Sequence, residues 1–307
     1  MRDYVTIVGA VNIDITGSPY DKLNINDSNP GYVKNTLGGV GRNIAENLAR
    51  LDAKVELITV LGDDFYAEEI KQDALANNIG LKYTKSFKDS RTSLYLCIND
   101  HEGEMKLALS DMDLYENITI EFLEERLEFI NSSLACVIDT NIPEESIKYL
   151  IDKVSVPIFI DTVSVKKTEK IFNLLHNIYS LKPNIYEAEI LSGVEIKNVD
   201  DVKKAAKIIT DKGVKRLFIS MGKDGVYYKD EFNEGILPSL SLDIVNTTGA
   251  GDSFFAAIIW SYLNGNDVEQ SAKIGLAASY ICLQSQDTVS KEMSIDKIKS
   301  LIKDWRM

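Results

Sequence analysis

The feature that most constrains the fold of this chain is an alternation of short apolar, β-branched runs with longer stretches of helical periodicity. The apolar runs predict strands at Val5–Ala10, Val55–Val60, Ala135–Ile138, Ile158–Ile160, Ile178–Lys182 and Leu217–Ser220. The periodic stretches predict helices at Val40–Leu51, Phe65–Asn77, Ile120–Ile130, Glu144–Lys153, Lys167–His176, Val202–Lys212, Ala250–Leu263, Val268–Leu283 and Ile295–Ile302. Strands that alternate with helices are typical of an α/β fold, in which helices cover both faces of a mostly parallel central sheet.

Two segments interrupt this alternation. Residues 12–36 are polar and rich in turn formers, and residues 91–110 predict a hairpin of the strands Ser93–Ile98 and Met105–Leu109. We expect both segments to form a small β-sheet lid that projects over the ligand crevice and excludes water from it. Since the sequence contains no repeat, low-complexity tract or linker, residues 1–307 are predicted to form a single domain with this lid.

Charge and cysteine usage exclude several classes of function. The net charge is −13, from 34 basic and 47 acidic residues, which argues against a surface for nucleic acid or anionic membrane. Cys97, Cys136 and Cys282 lack metal-ligand spacing, and we expect buried thiols in a reducing compartment. No apolar stretch approaches membrane-spanning length, and the first residues lack the pattern of a signal peptide. We therefore expect a soluble, cytoplasmic protein.

A glycine-containing turn before an apolar helix carries the strongest chemical signal. The turn is Asn246-Thr247-Thr248-Gly249-Ala250-Gly251-Asp252. The first-turn amides of a helix lack partners within the helix and lie at the positive end of its dipole, so this turn is a ready anion site. Asp252 adds a carboxylate beside the anion, where it can meet a phosphate-bound metal ion and a hydroxyl group that receives phosphate. The turn therefore predicts phosphoryl transfer.

A second glycine-rich turn opens the helix predicted from Val40. Its sequence is Gly38-Gly39-Val40-Gly41-Arg42-Asn43. The glycines let the backbone approach a ligand closely, and Asn43 offers both a donor and an acceptor. The alternative is a turn that only helps the helix to pack on the sheet.

Two polar residues follow the first predicted strand. Asn12 and Asp14 are two positions apart, so an extended backbone points both side chains to the same side. At the carboxyl end of a central strand that side faces the ligand crevice, and a carboxylate there suits a sugar diol. A polar strand end that forms an Asx turn is the alternative.

Two further motifs follow predicted strands in the second half of the chain. Asn184 has the pattern of a helix N-cap, with Glu187 as its capping-box partner three residues later. The alternative is that Glu187 holds water molecules around Mg²⁺, which usually keeps several of them. After the strand that ends at Ser220, the turn from Gly222 to Gly225 is either a tight connection or the border of a nucleotide site.

Taken together, these motifs resemble those of the ribokinase-like (PfkB) family of sugar and nucleoside kinases, over essentially the whole chain. Gly38–Ala45 is similar to the N-terminal glycine signature, Asn184 and Glu187 to the Asn-x-x-Glu motif, and Gly249–Asp252 to the C-terminal signature. The resemblance implies a ribokinase-like fold, with ATP and Mg²⁺ as cofactors and a homodimer formed through the lid.

The resemblance also implies a role for each motif residue. Asp252 is expected to be the catalytic base, and the amides of Gly249, Ala250 and Gly251 to hold the phosphoryl group. The acceptor sugar is assigned to Asn12, Asp14, Gly38, Gly39 and Asn43. The ATP side is assigned to Asn184, Glu187, Ser220, Gly222, Gly225, Thr248, Gly249 and Gly251, with Glu187 supporting Mg²⁺ through water. Because the helix dipole stabilises a carboxylate at its N-terminus, we expect Asp252 to be a weak base.

Within this family, three segments resemble the subgroup that phosphorylates pseudouridine, namely Asp27–Gly31, Gly41–Ala49 and Asp161–Lys166. The implied reaction transfers phosphate from ATP to the 5′-hydroxyl of pseudouridine. Pseudouridine has a free ring N–H where uridine has its glycosidic bond, so a selective site must offer that donor an acceptor. Candidate side chains for the base or the substrate charge are Asp27, Asn29, Ser93, Asp111 and Lys166.

One position departs from the family pattern, which usually has Asp where this chain has Asn246. In related kinases this region contributes to a monovalent-cation site, so the resemblance leaves a requirement for K⁺ open. A kinase for ribose, fructose or an ordinary nucleoside is an alternative, as is a catalytically silent ligand sensor on the same fold. A dinucleotide-binding oxidoreductase is disfavoured, because no Gly-x-Gly-x-x-Gly directly follows the first strand.

Overall fold

The computed structural model describes residues 3–240 and 244–304, which contain fifteen strands and eleven α-helices. The strands are β1 (Val5–Val8), β2 (Asn12–Pro19), β3 (Gly31–Gly38), β4 (Val55–Ile58), β5 (Val60–Leu61), β6 (Ile79–Gly80), β7 (Lys85–Ser86), β8 (Leu94–Asn99), β9 (Met105–Asp111), β10 (Ala135–Asp139), β11 (Ile158–Asp161), β12 (Ile178–Lys182), β13 (Arg216–Ser220), β14 (Val226–Lys229) and β15 (Glu234–Leu237). The helices are α1 (Val40–Arg50), α2 (Phe65–Ala76), α3 (Ile120–Glu124), α4 (Leu127–Asn131), α5 (Glu144–Lys153), α6 (Val165–Thr168), α7 (Ile185–Ser192), α8 (Val199–Asp211), α9 (Ala250–Leu263), α10 (Val268–Leu283) and α11 (Ile295–Asp304).

Nine of these strands form the central sheet, in the order β15-β14-β13-β12-β11-β10-β1-β4-β6. Neighbours from β13 to β6 pair in parallel, whereas β14 and β15 add an antiparallel edge. The six strands predicted from apolar runs all lie in the parallel part. Because both faces of this part are covered, its strands carry continuous apolar runs rather than an alternation of apolar and polar residues. The predicted mostly parallel α/β sheet is confirmed.

Helices cover the central sheet on both faces. On one face the core contains apolar side chains of α3, α4, α5, α7 and α8, and on the other it contains those of α1, α2, α9 and α10. Helix α11 packs beside α10 through a smaller apolar cluster that includes Ile298. All three cysteines are buried, as predicted. Within the described ranges, no helix combines the length and the apolar character needed to cross a membrane.

Two predicted helices differ from the observed ones. The stretch Ile120–Ile130 is divided into α3 and α4, because the Arg126 guanidinium donates to the Phe122 carbonyl at 2.6 Å. In an unbroken helix that carbonyl would accept the Arg126 amide, which bonds instead to the Leu123 carbonyl at 3.0 Å. The stretch Lys167–His176 is helical only in α6 and a following 3₁₀ turn, where Lys170 is bonded to carbonyl groups of the loop after β10.

A second, smaller sheet has the strand order β3-β2-β8-β9. Since side chains of registered neighbours share a face, its two faces differ in character. One face is mostly polar and comprises Asp14, Thr16, Ser18, Tyr32, Lys34, Thr36, Tyr95, Cys97 and Asn99. The opposite face is mostly apolar and includes Ile13, Ile15, Val33, Leu37, Leu94, Leu96, Ile98, Leu107 and Leu109. We call these the polar lid face and the apolar lid face. The predicted small sheet beside the central one is confirmed.

Candidate active site

The two glycine-rich turns of the sequence meet in space. Gly39 precedes α1 with φ of 97° and Gly249 precedes α9 with φ of 82°, backbone conformations that favour glycine. The Asn43 side chain of α1 donates from Nδ2 to Asp252 Oδ2 at 2.8 Å. Ser253, the residue after Asp252, donates from Oγ to Asn47 Oδ1 at 3.2 Å, one turn further along α1. The first turns of α1 and α9 are therefore joined through hydrogen bonds between their side chains.

Arg42 fixes the orientation of the Asn43 amide. Its guanidinium is buried and contacts Asp73 of α2 at 2.9 Å and Glu46 of α1 at 2.7 Å. It also donates to Asn43 Oδ1 at 3.3 Å, which leaves the amide nitrogen to face Asp252. Sequence reasoning gave Arg42 no role, although a basic residue inside a glycine-rich helix start is an unusual feature.

Asp14 and Asn12 lie beside the start of α1. Asn12 Nδ2 donates to Asp14 Oδ1 at 2.5 Å, and in the register of β2 with β3 Asn12 pairs with Gly38. A β-carbon at Gly38 would collide with the Asp14 carboxylate, so these groups are in direct contact. Burial raises the pKa of Asp14, and its bond to Asn12 and the charge of Arg42 oppose this shift. Asn12, Asp14 and Gly38 therefore form one cluster of donors and acceptors just before the helix that carries Asn43.

Asp252 lies in an environment that makes its carboxylate a stronger base than the sequence suggested. Burial and the nearby Asp161 carboxylate raise its pKa to about 7, against the opposing effects of Asn43 and Lys182. The expectation of a weak base, drawn from the dipole of α9, is therefore wrong. Asp252 lies in the first turn, where the dipole of α9 does favour its anion, but loss of hydration and a like charge together outweigh this effect.

Three ionisable side chains that the sequence analysis did not assign lie in one row beneath Asp252. Asp139, Asp161 and Lys182 are the last residues of β10, β11 and β12, and they pair in register across the sheet. Asp139 Oδ2 accepts from the amides of Ala10 at 2.7 Å and Gly41 at 2.8 Å, so it ties the turn before α1 to the sheet. The signal in the sequence was a charged residue at the end of each of three apolar runs.

Glu187 is held at the start of α7 by a capping box. Asn184 Oδ1 accepts from the Glu187 amide at 3.0 Å, and Glu187 Oε2 accepts from the Asn184 amide at 2.8 Å. The Thr162 hydroxyl adds a bond to the same Oε2 at 2.6 Å. The predicted N-cap is therefore present, and Oε1 remains to hold a water molecule. Within the described residues there is no cluster of three or more His, Cys, Asp or Glu that could hold a metal ion.

The remaining residues assigned to the ATP side lie near the end of β13. Ser220 forms a bridge with Asn184, and its amide donates to the Pro183 carbonyl at 2.9 Å. Gly222 begins a 3₁₀ turn that ends at Gly225, which has φ of 94°. A β-carbon at Gly225 would collide with the Leu237 carbonyl. The turn connects β13 to the antiparallel β14, so a structural role for Gly225 is present whether or not a nucleotide lies beside it.

A cavity of about 670 Å³ lies between the polar lid face and the central domain. Leu37 of β3 also lines it. On the side opposite the polar lid face it is lined by Arg42, Glu46, Arg50, Asp73, Asn77, Asn246, Thr248, Gln286, Asp287, Thr288, Val289 and Lys291. Asp14 belongs both to this cavity and to the cluster that it forms with Asn12 and Gly38. Thr248 also lines the cavity, and it lies in the turn before α9.

Five residues proposed to read the base or the substrate charge are not among those that line this cavity. Asp27 and Asn29 lie in the exposed turn between β2 and β3, at the end of that strand pair opposite Asp14. Ser93 is buried before β8, Asp111 pairs with Arg91 at 3.3 Å, and Lys166 is exposed on α6. The cavity is lined instead by every second residue of three lid strands. Side chains alternate between the two faces of a strand, so counting in steps of two from Asp14 would have predicted the lining residues of β2.

Asn246 is engaged as an amide. Its Oδ1 accepts from the Thr248 amide at 3.0 Å, and its Nδ2 donates to the Gln286 carbonyl at 3.4 Å. An amide supplies no negative charge, so this position lacks the carboxylate of the family pattern.

Comparisons with known proteins agree with this geometry. The chain matches the pfkB family of carbohydrate kinases over residues 2–294. It is 38% identical over 305 residues to the pseudouridine kinase of Escherichia coli (strain K12), covering 99% of this chain and 97% of that protein. A carbohydrate kinase from Agrobacterium tumefaciens has a TM-score of 0.86 at 27% identity, with 99% and 97% of the two chains covered. Arabidopsis thaliana ribokinase complexed with ribose and ATP has a TM-score of 0.87 at 21% identity, with 99% of each chain covered. The chain belongs to the pfkB family of carbohydrate kinases.

Proposed function

We propose that this kinase transfers phosphate from ATP to the 5′-hydroxyl of pseudouridine, giving pseudouridine 5′-phosphate and ADP. The observation that supports the transfer most directly is the Asp252 carboxylate, which lies in the first turn of α9, bonded to Asn43 and with a raised pKa. A base works best when its pKa is near the working pH. The choice of pseudouridine rests on the 38% identity to the Escherichia coli enzyme over 99% of this chain.

Asp252 accepts the proton of the 5′-hydroxyl as the oxygen attacks the phosphoryl group. Asn43 donates to the Asp252 carboxylate, which fixes the direction in which its free lone pairs point. Asp14 and Asn12 bind the ribose hydroxyls, and the amides near Gly38 and Gly39 approach the same sugar. Positioning of this kind supplies much of the rate in phosphoryl transfer, because the protein makes few covalent changes itself.

The ATP side is formed by the turn before α9 and by the ends of β12 and β13. The amides of Gly249, Ala250 and Gly251 hold the transferring phosphoryl group, and Thr248, Asn184, Ser220, Gly222 and Gly225 border the nucleotide. Glu187 fits a water-mediated contact to Mg²⁺, since one of its carboxylate oxygens is already engaged by Asn184 and Thr162. MgATP supplies the phosphoryl group and neutralises its charge. K⁺ is not part of this proposal.

The polar lid face is the part of the cavity that reads the base. Thr16 and Tyr95 carry hydroxyl acceptors, and Lys34 carries a cation beside them. Pseudouridine presents a ring N–H that uridine lacks, and leaving a buried partner of that group unpaired costs about 1–3 kcal/mol. These three side chains replace Asp27, Asn29, Ser93 and Asp111 as the proposed determinants of base selectivity.

The chain acts as one kinase domain whose lid is built from residues 12–36 and 91–110, and we propose that two copies pair through the apolar lid face. On this face Val33, Leu107 and Leu109 are 70%, 58% and 60% exposed. A contiguous exposed apolar patch is typical of an interaction surface, and a second copy of the chain offers a matching one.

An acceptor panel tests the proposed activity. Pseudouridine, uridine, ribose and fructose are compared by ADP release, and pseudouridine should have the highest kcat/KM. Asp252→Asn should lower kcat by roughly 1,000-fold, because it removes the base. Asp296→Asn is the matched control, since Asp296 also lies in the first turn of a helix but is exposed on α11. Efficient turnover of ribose without turnover of pseudouridine would overturn the substrate, and unchanged activity of Asp252→Asn would overturn the base.

A further inference from the structure

The ends of β11 and β12 carry a buried ion pair that the proposed reaction does not yet use. Asp161 and Lys182 pair in register, and their side chains are only 5% and 9% exposed. The Lys182 ammonium lies 3.4 Å from Asp161 Oδ2. The attraction between two buried charges offsets their loss of hydration only if their geometry is good and their remaining hydrogen bonds are made. A buried pair of this kind is therefore poorly explained by a contribution to stability alone.

The geometry of the pair leaves hydrogen-bonding capacity unused. Asp161 Oδ1 accepts from the Val163 amide at 2.8 Å, but Oδ2 is buried and has no hydrogen-bond partner among the described residues. On its other side the ammonium faces the turn before Asp252, because a β-carbon added at Gly251 would lie 3.4 Å from Lys182 Nζ. The positive charge is therefore placed against the turn that receives the phosphoryl group.

A strained turn holds Asp161 in this position. Val163 has φ of 61°, which is an outlier for a β-branched residue, and the Ser164 amide closes on the Thr162 carbonyl at 2.6 Å. The same turn aims the Thr162 hydroxyl at Glu187. Strained backbone of this kind persists where the surrounding structure holds it, and it concentrates at functional sites.

We propose that the Asp161–Lys182 pair is a positioning pair for phosphoryl transfer, which sets the charge state of Asp252 and holds an ammonium group against the Gly249–Gly251 turn. This inference rests on the proposed role of Asp252 as the base. It also explains the strained turn at Val163, which follows β11 and holds the Asp161 side chain in place.

The groups that face Asp252 come from five elements. They are Asp139 of β10, Asp161 of β11, Lys182 of β12, Asn43 of α1 and Cys282 of α10. Asp161 raises the pKa of Asp252, and Lys182 lowers it. Removal of the Asp161 charge should therefore lower the pKa of Asp252, and removal of the Lys182 charge should raise it. A pair that only stabilises the fold would not produce this pattern.

The test is the pH dependence of kcat/KM for the acceptor at saturating MgATP. The acid limb is the part of the profile in which kcat/KM falls as the pH is lowered. Lys182→Met should move this limb to higher pH by about one unit, and Asp161→Asn should move it to lower pH by a similar amount. Lys182→Met should also lower the limiting kcat by roughly 10- to 100-fold, because one preorganised cation is lost. Lys182→Arg keeps the positive charge, so its acid limb should lie close to that of the wild-type enzyme. Lys273→Met is the matched control, since Lys273 forms a partly buried ion pair with Glu269 on α10.

Either variant can leave an unpaired buried charge, so thermal unfolding is recorded for each. The double variant with Lys182→Met and Asp161→Asn removes both charges and should fold, with an acid limb between those of the single variants and a reduced kcat. Limbs that do not move, limbs that move in the same direction, or a double variant with full activity would overturn the positioning role. The profiles are measured on whichever acceptor the panel identifies, so a wrong substrate is detected separately. Activity that survives in Asp252→Asn would refute the base itself rather than the pair.

Discussion

At the scale of single residues, the site is governed by how charges are placed around one carboxyl group. Asp252 is partly withdrawn from water, faces the Asp161 carboxylate and receives one hydrogen bond from Asn43. The first two effects favour the protonated form, and the third favours the anion. The result is a carboxyl group with a pKa of about 7, close to the working pH, which suits the proposed role as a general base.

The pH profile of the wild-type enzyme follows from this environment. A raised pKa means that Asp252 gains its proton as pH falls through about 7, so kcat/KM should fall tenfold for each unit below that value. The expected measurement is an acid limb with an apparent pKa near 7 in steady-state assays from pH 5.5 to 9.

Asp14 is the competing source of such a limb, because burial raises its pKa as well. Asp14→Asn should weaken acceptor binding and raise KM but leave the position of the acid limb unchanged. A limb that disappears in Asp14→Asn would identify Asp14 as the titrating group. Circular dichroism over the same range excludes unfolding as the cause.

At the scale of elements, two helices begin at the site and direct their first turns towards each other. Helix α1 begins after Gly39, and α9 begins after Gly249, both at positive φ. The sequence predicted both starts, because a glycine turn before an apolar run is a local signal. It did not predict the division of Ile120–Ile130, since the Arg126 side chain there competes for a backbone carbonyl within the folded protein.

Gly249→Ala tests how strictly the start of α9 is set. A β-carbon there would collide with the Thr288 carbonyl, in addition to the backbone cost of about 1–2 kcal/mol for a non-glycine residue at positive φ. We expect the free energy of unfolding to fall by about 3 kcal/mol and kcat to fall roughly 100-fold, because the amides proposed to hold the phosphoryl group shift. Denaturant unfolding and steady-state kinetics measure the two effects.

Gly265→Ala at the other end of α9 is the control for this change. Gly265 has φ of 74°, but a β-carbon there would meet no atom within 4 Å. The variant should lose only about 1 kcal/mol of stability and keep its kcat. Equal losses of activity in the two variants would show that helix stability, rather than the geometry of the turn, is responsible.

At the scale of the whole molecule, a polar cavity and an apolar surface lie on opposite faces of one small sheet. The polar lid face lines the cavity of about 670 Å³, and the apolar lid face is exposed at Val33, Leu107 and Leu109. Alternation along each strand produces both surfaces, because neighbouring side chains point to opposite sides. The proposed recognition of the substrate and the proposed self-association would therefore be linked through the same four strands.

Dimerisation through the apolar lid face is tested with Leu107→Lys and Leu109→Lys together. Burial of two leucines contributes about 3 kcal/mol, so the double variant should weaken self-association by roughly 100-fold. Light scattering after size exclusion should change from a dimer mass to a monomer mass. Leu75→Lys is the control, because Leu75 is 80% exposed on α2, away from the lid. A wild-type protein that is monomeric at every concentration would contradict the proposal.

The parallel sheet, the two glycine helix starts and the capping box at Asn184 and Glu187 were all predicted correctly from the sequence alone. Each of these depends on residues close together in the chain, through apolar periodicity or a side chain that bonds to a neighbouring amide. Two contacts between distant segments could be found only in the folded protein. Asn43 bonds to Asp252, 209 positions away, and Asp161 pairs in register with Lys182 of the neighbouring strand. Strand order and register are set by packing between distant segments, and the pKa of Asp252 is set by the burial that this packing creates.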